Sequence, residues 1–313
     1  MIDRLGRNIE YVRISVTDKC NLRCIYCESS CDKHLKILSA PEIIEIVRVM
    51  ARLDIKKARL TGGEPLLRDD LEEMIAGISA IPGIIDVPVT TNGTGFIKRL
   101  DSLKAAGLKR LNVSLDSLKP ERFLEITKQN SFDNVMAGVE KALASGIKIK
   151  LNAVLIRGVN DDEIDDFIEL AKRCDIEVRF IELMPIGKFG SVNKDKVITG
   201  GEILSTRPYL TPIGYSSGGV AKLYEIKGAR GRVGLINALS HEFCHECNRV
   251  RLLSDGKLKL CLGDNAEIDL MPTLRERPNE LLDTIRNAIY YKPVKHTFKA
   301  DFDSNRGMME IGG

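Results

Sequence analysis

From about residue 9 to residue 184 the chain repeats one alternation. A short β-branched run, with apolar and polar residues taking turns, is followed by a longer stretch whose apolar residues return at helical spacing. The runs are "YVRISVT", "KKARLTGG", "DVPVTTNG", "RLNVSLDS", "IKIKLNAVLI" and "EVRFIELM". Between them, "SAPEIIEIVRVMARLD" opens with Ser39 as an N-cap, Pro41 in the first turn and Glu42 in capping-box position. "DDLEEMIAGISAIPG" and "NVMAGVEKALASG" read as further helices, the latter stopped by Gly146. Six strand-helix units with short connections predict an α/β fold with a parallel sheet.

Several of these strands end in polar or glycine-rich residues: Thr61-Gly62-Gly63, Thr90-Thr91-Asn92-Gly93, Ser114-Leu115-Asp116 and Glu182 to Met184. Ligands of parallel α/β folds sit at the C-terminal ends of strands, so several strands are expected to feed one site. Six units fall short of the eight in a closed barrel. The expected architecture is a partial (β/α)6 barrel of the TIM type over residues 1–186. After that the βα rhythm stops, and residues 187–313 are expected to form a smaller C-terminal region covering the barrel mouth and ending in the amphipathic helix "NELLDTIRNAIYYK".

Charge narrows the function classes. Forty-seven Lys and Arg face 44 Asp and Glu, a net charge of +3, too small an excess for a general nucleic-acid surface. The N-terminus "MIDRLGRNIEYVRISV" is charged throughout and no apolar run is long enough to span a bilayer, so no membrane partner and a cytoplasmic location are expected. In that compartment clustered cysteines bind metal or take part in chemistry more often than they form disulfides.

Eight cysteines are present, and four fall in "CNLRCIYCESSC". Cys20, Cys24 and Cys27 follow C-x3-C-x2-C spacing in the loop after the first strand. Zinc sites usually take two close pairs of ligands. A [4Fe–4S] cluster normally takes four thiolates, so three on one loop leave one iron open to a small molecule. Buried inert thiols are the plain alternative. Cys31 as a fourth ligand would fill the open position, so it is read as a bystander. A second group, Cys244, Cys247 and Cys261 in "FCHECNRVRLLSDGKLKLCL", again offers three thiols, with His241 and His245 near enough in sequence to complete a zinc site instead. Cys174 stands alone in a helical segment and reads as a core residue.

The pairing of "CNLRCIYC", with Tyr26 directly before the third cysteine, and "GGEP" at the end of the second strand resembles the radical S-adenosylmethionine (SAM) enzymes. The resemblance implies that the open iron chelates SAM and that one electron cleaves its sulfonium to a 5′-deoxyadenosyl radical. Gly62 and Gly63 are then expected to let backbone approach the methionine end of SAM, with Glu64 and Pro65 shaping the turn.

Basic residues indicate the substrate class. Arg249 and Arg251 alternate directly after the second cysteine pair, and Arg13, Arg59 and Lys150 lie on barrel strands. Taken singly, Arg59 or Lys150 is more often a solvated surface charge. Convergence of several on one mouth expects an anion, and a triphosphate better than a monoanion.

"VRISVTDKCNLRCIYC", "RLTGGEPLLRDDL", "VTTNG", "LNVSLDSL", "KLNAVLIRGVN", "RFIELMPIG", "FCHECNRVRL" and the terminal "RGMMEIGG" are together similar to the GTP 3′,8-cyclase family. These lyases close GTP to 3′,8-cyclo-7,8-dihydro-GTP in the first step of molybdenum cofactor biosynthesis. The resemblance implies two 4Fe-4S clusters, on Cys20, Cys24 and Cys27 and on Cys244, Cys247 and Cys261, with Tyr26, Gly63, Ser114 and Met184 around SAM. It implies GTP contacts from Arg13, Arg59, Thr90, Lys150, Arg249, Val250 and Arg251. Arg13, Arg249, Arg251 and a Gly312-Gly313 tail reaching the site would act in catalysis. An external one-electron reductant, cyclic pyranopterin monophosphate synthase downstream and a homodimer are likewise only what the family suggests. The alternatives are a peptide-modifying radical SAM enzyme with an auxiliary cluster, and a non-catalytic iron-sulfur or zinc sensor.

Overall fold

The computed structural model describes residues 1–27, 37–215, 219–298 and 304–312. The six runs form β1 (Tyr11–Ser15), β2 (Lys57–Thr61), β3 (Val89–Thr91), β4 (Arg110–Ser114), β5 (Lys148–Leu155) and β6 (Ile176–Glu182), each paired in parallel with the next. The helix Ala40–Ala51 begins where the sequence puts it. Ser39 Oγ accepts from the Glu42 amide, and the Glu42 carboxylate accepts from the Ser39 amide. Gly146 follows the helix Phe132–Ala144 at φ +80°, a left-handed position that favours glycine.

The later segment adds six more strands: β7 (Thr211–Tyr215), β8 (Lys222–Glu225), β9 (Arg232–Ile236), β10 (Arg249–Leu252), β11 (Lys257–Lys259) and β12 (Glu267–Asp269). The sheet order is β12-β11-β10-β1-β2-β3-β4-β5-β6-β9-β8-β7. The region expected only to cover the mouth therefore also extends both edges of the sheet. β10 pairs in parallel with β1, and β9 in parallel with β6. Eight parallel strands thus run side by side from β10 to β9, as an open sheet of the partial TIM type. An edge strand leaves a row of backbone groups unpaired; β9 and β10, too far apart in sequence to betray it by rhythm, satisfy both.

Alternation decides which side chains face where. Val12 and Ile14, Ala58 and Leu60, Leu111 and Val113, Ile149 and Leu151, Val178 and Phe180, and Val250 and Leu252 belong to the apolar core, which also takes in Ile43, Ile46, Val47 and Met50 of the first helix. Their sequence neighbours face the barrel interior, and these are polar.

The last described residues return to the barrel. Arg306 donates to both oxygens of Glu267 (2.7 and 2.8 Å) and to Asp255 (2.6 Å), and all three side chains are largely shielded from solvent. Glu310 caps its own short helix by accepting from the Gly307 amide. Ile311 then packs with Ile186, Leu253 and Phe298. We expect Arg306→Ala to cost about 3 kcal/mol locally, by leaving shielded carboxylates short of a partner. Limited proteolysis read by mass spectrometry should show faster cutting of residues 304–312, with the melting temperature of the barrel little changed. An unchanged cleavage pattern would refute the anchoring role.

Candidate functional site

One cavity lies inside the row of parallel strands and is lined from both strand ends. Cys20, Cys24 and Cys27 line it from the loop after β1, and Cys244, Cys247 and Cys261 line it from the opposite side. The first loop is held by three attachments. The amides of Arg23 and Ile25 donate to the carbonyls of Thr127 and Ile126, and within the loop Cys27 N donates to Cys24 O. Asn92 Nδ2 reaches Cys20 Sγ at 3.8 Å. From β2, the Gly63 amide donates to Thr17 O (2.7 Å) and the Glu64 amide to Lys19 O (2.8 Å).

This last contact explains the glycines differently from the sequence-based expectation. A Cβ on Gly62 would lie 2.4 Å from Thr17 O, and one on Gly63 2.2 Å from Lys19 O. Both are needed where β2 meets the cysteine loop, because the two backbones touch. Glu64 completes the junction. Buried, it accepts from Thr91 Oγ1 (2.6 Å), the Asn92 amide (2.7 Å) and the Leu66 amide (2.9 Å). Burial pushes its carboxyl up to about 7 against the pull of those donors. Glu64 thus links "GGEP" to Asn92, and Asn92 to Cys20.

The three thiols suit a cationic core. Burial, reinforced by Asp116 and by one another, pushes Cys24 well up, and burial with Cys20 pushes Cys27 up to about 12. Thiolates so placed need compensating positive charge, which iron supplies. Among the described residues no three His, Cys, Asp or Glu side chains are gathered tightly enough for a single metal ion. His241 and His245 are exposed and do not line the cavity, and His245 lies beside Glu246 instead. Each triad puts three thiols on the cavity wall, the donor set that a cluster with one open iron takes. Cys31 lies outside the described residues.

Tyr26, Gly63, Ser114 and Met184 line the same cavity. The Tyr26 hydroxyl donates to Asp116 Oδ2 at 2.5 Å, and Asp116 also accepts from the Val154 amide. Burial raises the Asp116 carboxyl to about 6 although both donors oppose it.

Arg13, Arg59, Thr90, Arg249 and Arg251 line it as well. The parallel register sets Arg251, Arg13 and Arg59 abreast on three neighbouring strands. Burial, then Arg251 and Arg59, lower the Arg13 guanidinium well below its usual value. Arg59 lies over the Tyr11 ring at 5.3 Å and Arg249 over Phe243 at 5.4 Å. Lys150 does not line the cavity. It lies inside the barrel, with Nζ 2.9 Å from each oxygen of Glu177, and burial, then Arg179, lower its ammonium to about 8. The Val250 side chain points the other way, into the core. Gly312 enters through its carbonyl, which accepts from Arg251 Nη1 at 2.9 Å, beside Ile311 O at 3.0 Å. A Cβ there would lie 2.6 Å from Thr61 Cγ2. Gly313 lies outside the described residues.

Sequence reasoning missed Arg179, Asn152 and Lys292, which also line the cavity, whereas Asp116 and Glu182 sit at the strand ends it pointed to. Arg179 carried a signal: it alternates with Val178 and Phe180 as Arg13 does with Val12 and Ile14. Glu182 joins the strand end to the second cysteine loop, accepting from the amides of Leu239 (2.8 Å) and Ser240 (3.0 Å). Nothing local in the sequence marks that bond.

Residues 14–171 match the radical SAM superfamily, and residues 176–298 match the family described as Molybdenum Cofactor Synthesis C. The chain is 47% identical over 320 residues to the GTP 3′,8-cyclase of Alkaliphilus oremlandii and 43% identical over 320 residues to that of Clostridium botulinum, covering all of both proteins in each case. Among solved structures it resembles Streptococcus suis SuiB bound to S-adenosylmethionine, at a TM-score of 0.58 and 16% identity over 92% of this chain and 65% of that one, a likeness of fold. With the full length matched at this identity, the chain belongs to the GTP 3′,8-cyclase family of the radical SAM superfamily.

Proposed function

We propose that this protein converts GTP to 3′,8-cyclo-7,8-dihydro-GTP, the first step of molybdenum cofactor biosynthesis, in the cavity between its two cysteine triads. Family membership supports the activity and sets aside the peptide-modifying and sensor alternatives. The observation that carries the placement is that both triads and a row of guanidiniums face one cavity.

Cys20, Cys24 and Cys27 would hold the cluster that binds SAM, and Cys244, Cys247 and Cys261 the second cluster, which would take the guanine base. When bound, the first cluster and SAM supply an adenosyl radical able to remove the ribose 3′ hydrogen. The product then needs a new bond between C3′ and C8 of the same nucleotide. The chain's own task is to fold GTP so that these atoms meet. Arg13, Arg59, Arg249 and Arg251 would hold the triphosphate, since their forks bind paired oxygens. Set abreast on neighbouring strands, Arg251, Arg13 and Arg59 concentrate positive charge that suits a polyanion. Lys150 would act from one layer deeper, through Glu177 and Arg179. Glu64 and Asp116 would act as positioning residues, fixing Asn92 and Tyr26 on the SAM side. Arg251 would also hold the Gly312 end of the tail in the cavity. An external one-electron reductant, a pterin synthase acting on the product and a homodimeric assembly complete the proposal. No helix among the described residues is long and apolar enough to cross a membrane.

Anaerobic protein reconstituted with iron and sulfide should bind about eight irons per chain, four for each cluster, and after reduction should release 5′-deoxyadenosine from SAM only when GTP is present. Release indifferent to GTP would sink the cyclase reading; about four irons would sink the second cluster. Arg249→Ala should weaken GTP binding about ten- to a hundred-fold, the loss of one charge-assisted contact, while SAM binding is spared. Unchanged GTP affinity by calorimetry would remove Arg249 from the substrate site.

A further inference from the structure

Lys292 is 1% exposed, lines the cavity beside the second cysteine triad, and lies far in sequence from all three thiols. Its ammonium donates to the carbonyl of Leu260, the residue before Cys261. No carboxylate among the described residues pairs with it. A buried ammonium is costly without a compensating anion, and the second cysteine triad lines the cavity with it. The bond to Leu260 O sets Nζ beside the residue that precedes Cys261, and Cys244 and Cys247 line the same cavity, so the triad is placed to supply negative charge.

The backbone around Lys292 is locked from the other side. Arg7, buried and paired with Asp3 at 2.7 Å, donates to the carbonyls of Lys292 (3.1 Å), Pro293 (2.8 Å) and Val294 (3.2 Å), and also to that of Cys244 (3.1 Å). One guanidinium thus ties the segment that carries Lys292 to the loop that carries the first cysteine of the triad. The clamp fixes the backbone from which the ammonium reaches Leu260 O.

We infer that Lys292 is the counter-ion of the second cluster: a positioning and tuning residue whose fixed positive charge stabilises the cluster's reduced form, with Arg7 holding it in place. A [4Fe–4S] core bound by three thiolates is an anion, and gaining an electron adds one more negative charge. A buried cation held close to its ligands favours that gain and raises the reduction potential. The inference rests on the reading of Cys244, Cys247 and Cys261 as a cluster site.

The test is a redox titration of the full-length, reconstituted protein followed by electron paramagnetic resonance, in wild type, Lys292→Met and Lys292→Arg. The second cluster should become harder to reduce in Lys292→Met and stay near wild type in Lys292→Arg, while the first cluster, ligated on the other wall, keeps its potential in all three. Equal second-cluster potentials in the three proteins would overturn the inference. If Lys292→Met assembles less of the second cluster, iron content decides: restoration by Lys292→Arg but not by Lys292→Gln assigns the effect to charge, and equal behaviour of the two refutes it. A wild-type protein with only about four irons would instead overturn the cluster reading on which the inference stands.

Discussion

On β1, β2, β4, β5, β6 and β10 apolar side chains are buried outward against the helices, and Arg13, Arg59, Asn112, Lys150, Arg179 and Arg251 are left facing inward. A closed TIM barrel usually fills this interior with branched apolar residues. Here the filling is cationic, with Glu177 as the carboxylate that bridges Lys150 and Arg179. Since the outward residues already anchor each strand in the core, the inward residues need not contribute packing, and the interior can carry a concentration of positive charge suited to an anionic ligand.

The two thiol groups reach that interior by different means. The first loop is fitted directly against β2, where the close approach of Gly62 and Gly63 to Thr17 and Lys19 leaves no room for a side chain. The second loop spans β9 and β10, strands on opposite edges of the parallel row, so it must cross the mouth. Glu182 holds it at one end and Arg7 at the other. Each loop is thus fixed by backbone hydrogen bonds to buried groups, a more rigid arrangement than surface contacts provide.

The tail is the third wall. Arg251 donates to the carbonyls of Ile311 and Gly312, and Arg306 anchors the same segment to β11 and β12. The row of guanidiniums that suits a polyanion therefore also holds the chain's own end, which couples the order of the tail to the geometry of the charged row.

The sequence by itself determined the strand-helix repeat, the caps at Ser39 and Gly146, the six cysteines of the two groups and the inward-facing arginines, because each is written in periodicity or in spacing within a few residues. What only the tertiary structure decided was which distant segments meet. That β9 and β10 extend the sheet, that Arg7 grips Cys244 and Lys292, that Glu182 holds Ser240, and that Lys150 turns to Glu177 all depend on contacts between residues far apart or on side chains competing for one partner. Such contacts leave no local pattern, since any strand edge can pair and any buried lysine can choose among the anions around it. The glycines of "GGEP" show the same limit in miniature: their need for open space was legible, but the neighbour that requires it, the backbone of the cysteine loop, was set by packing.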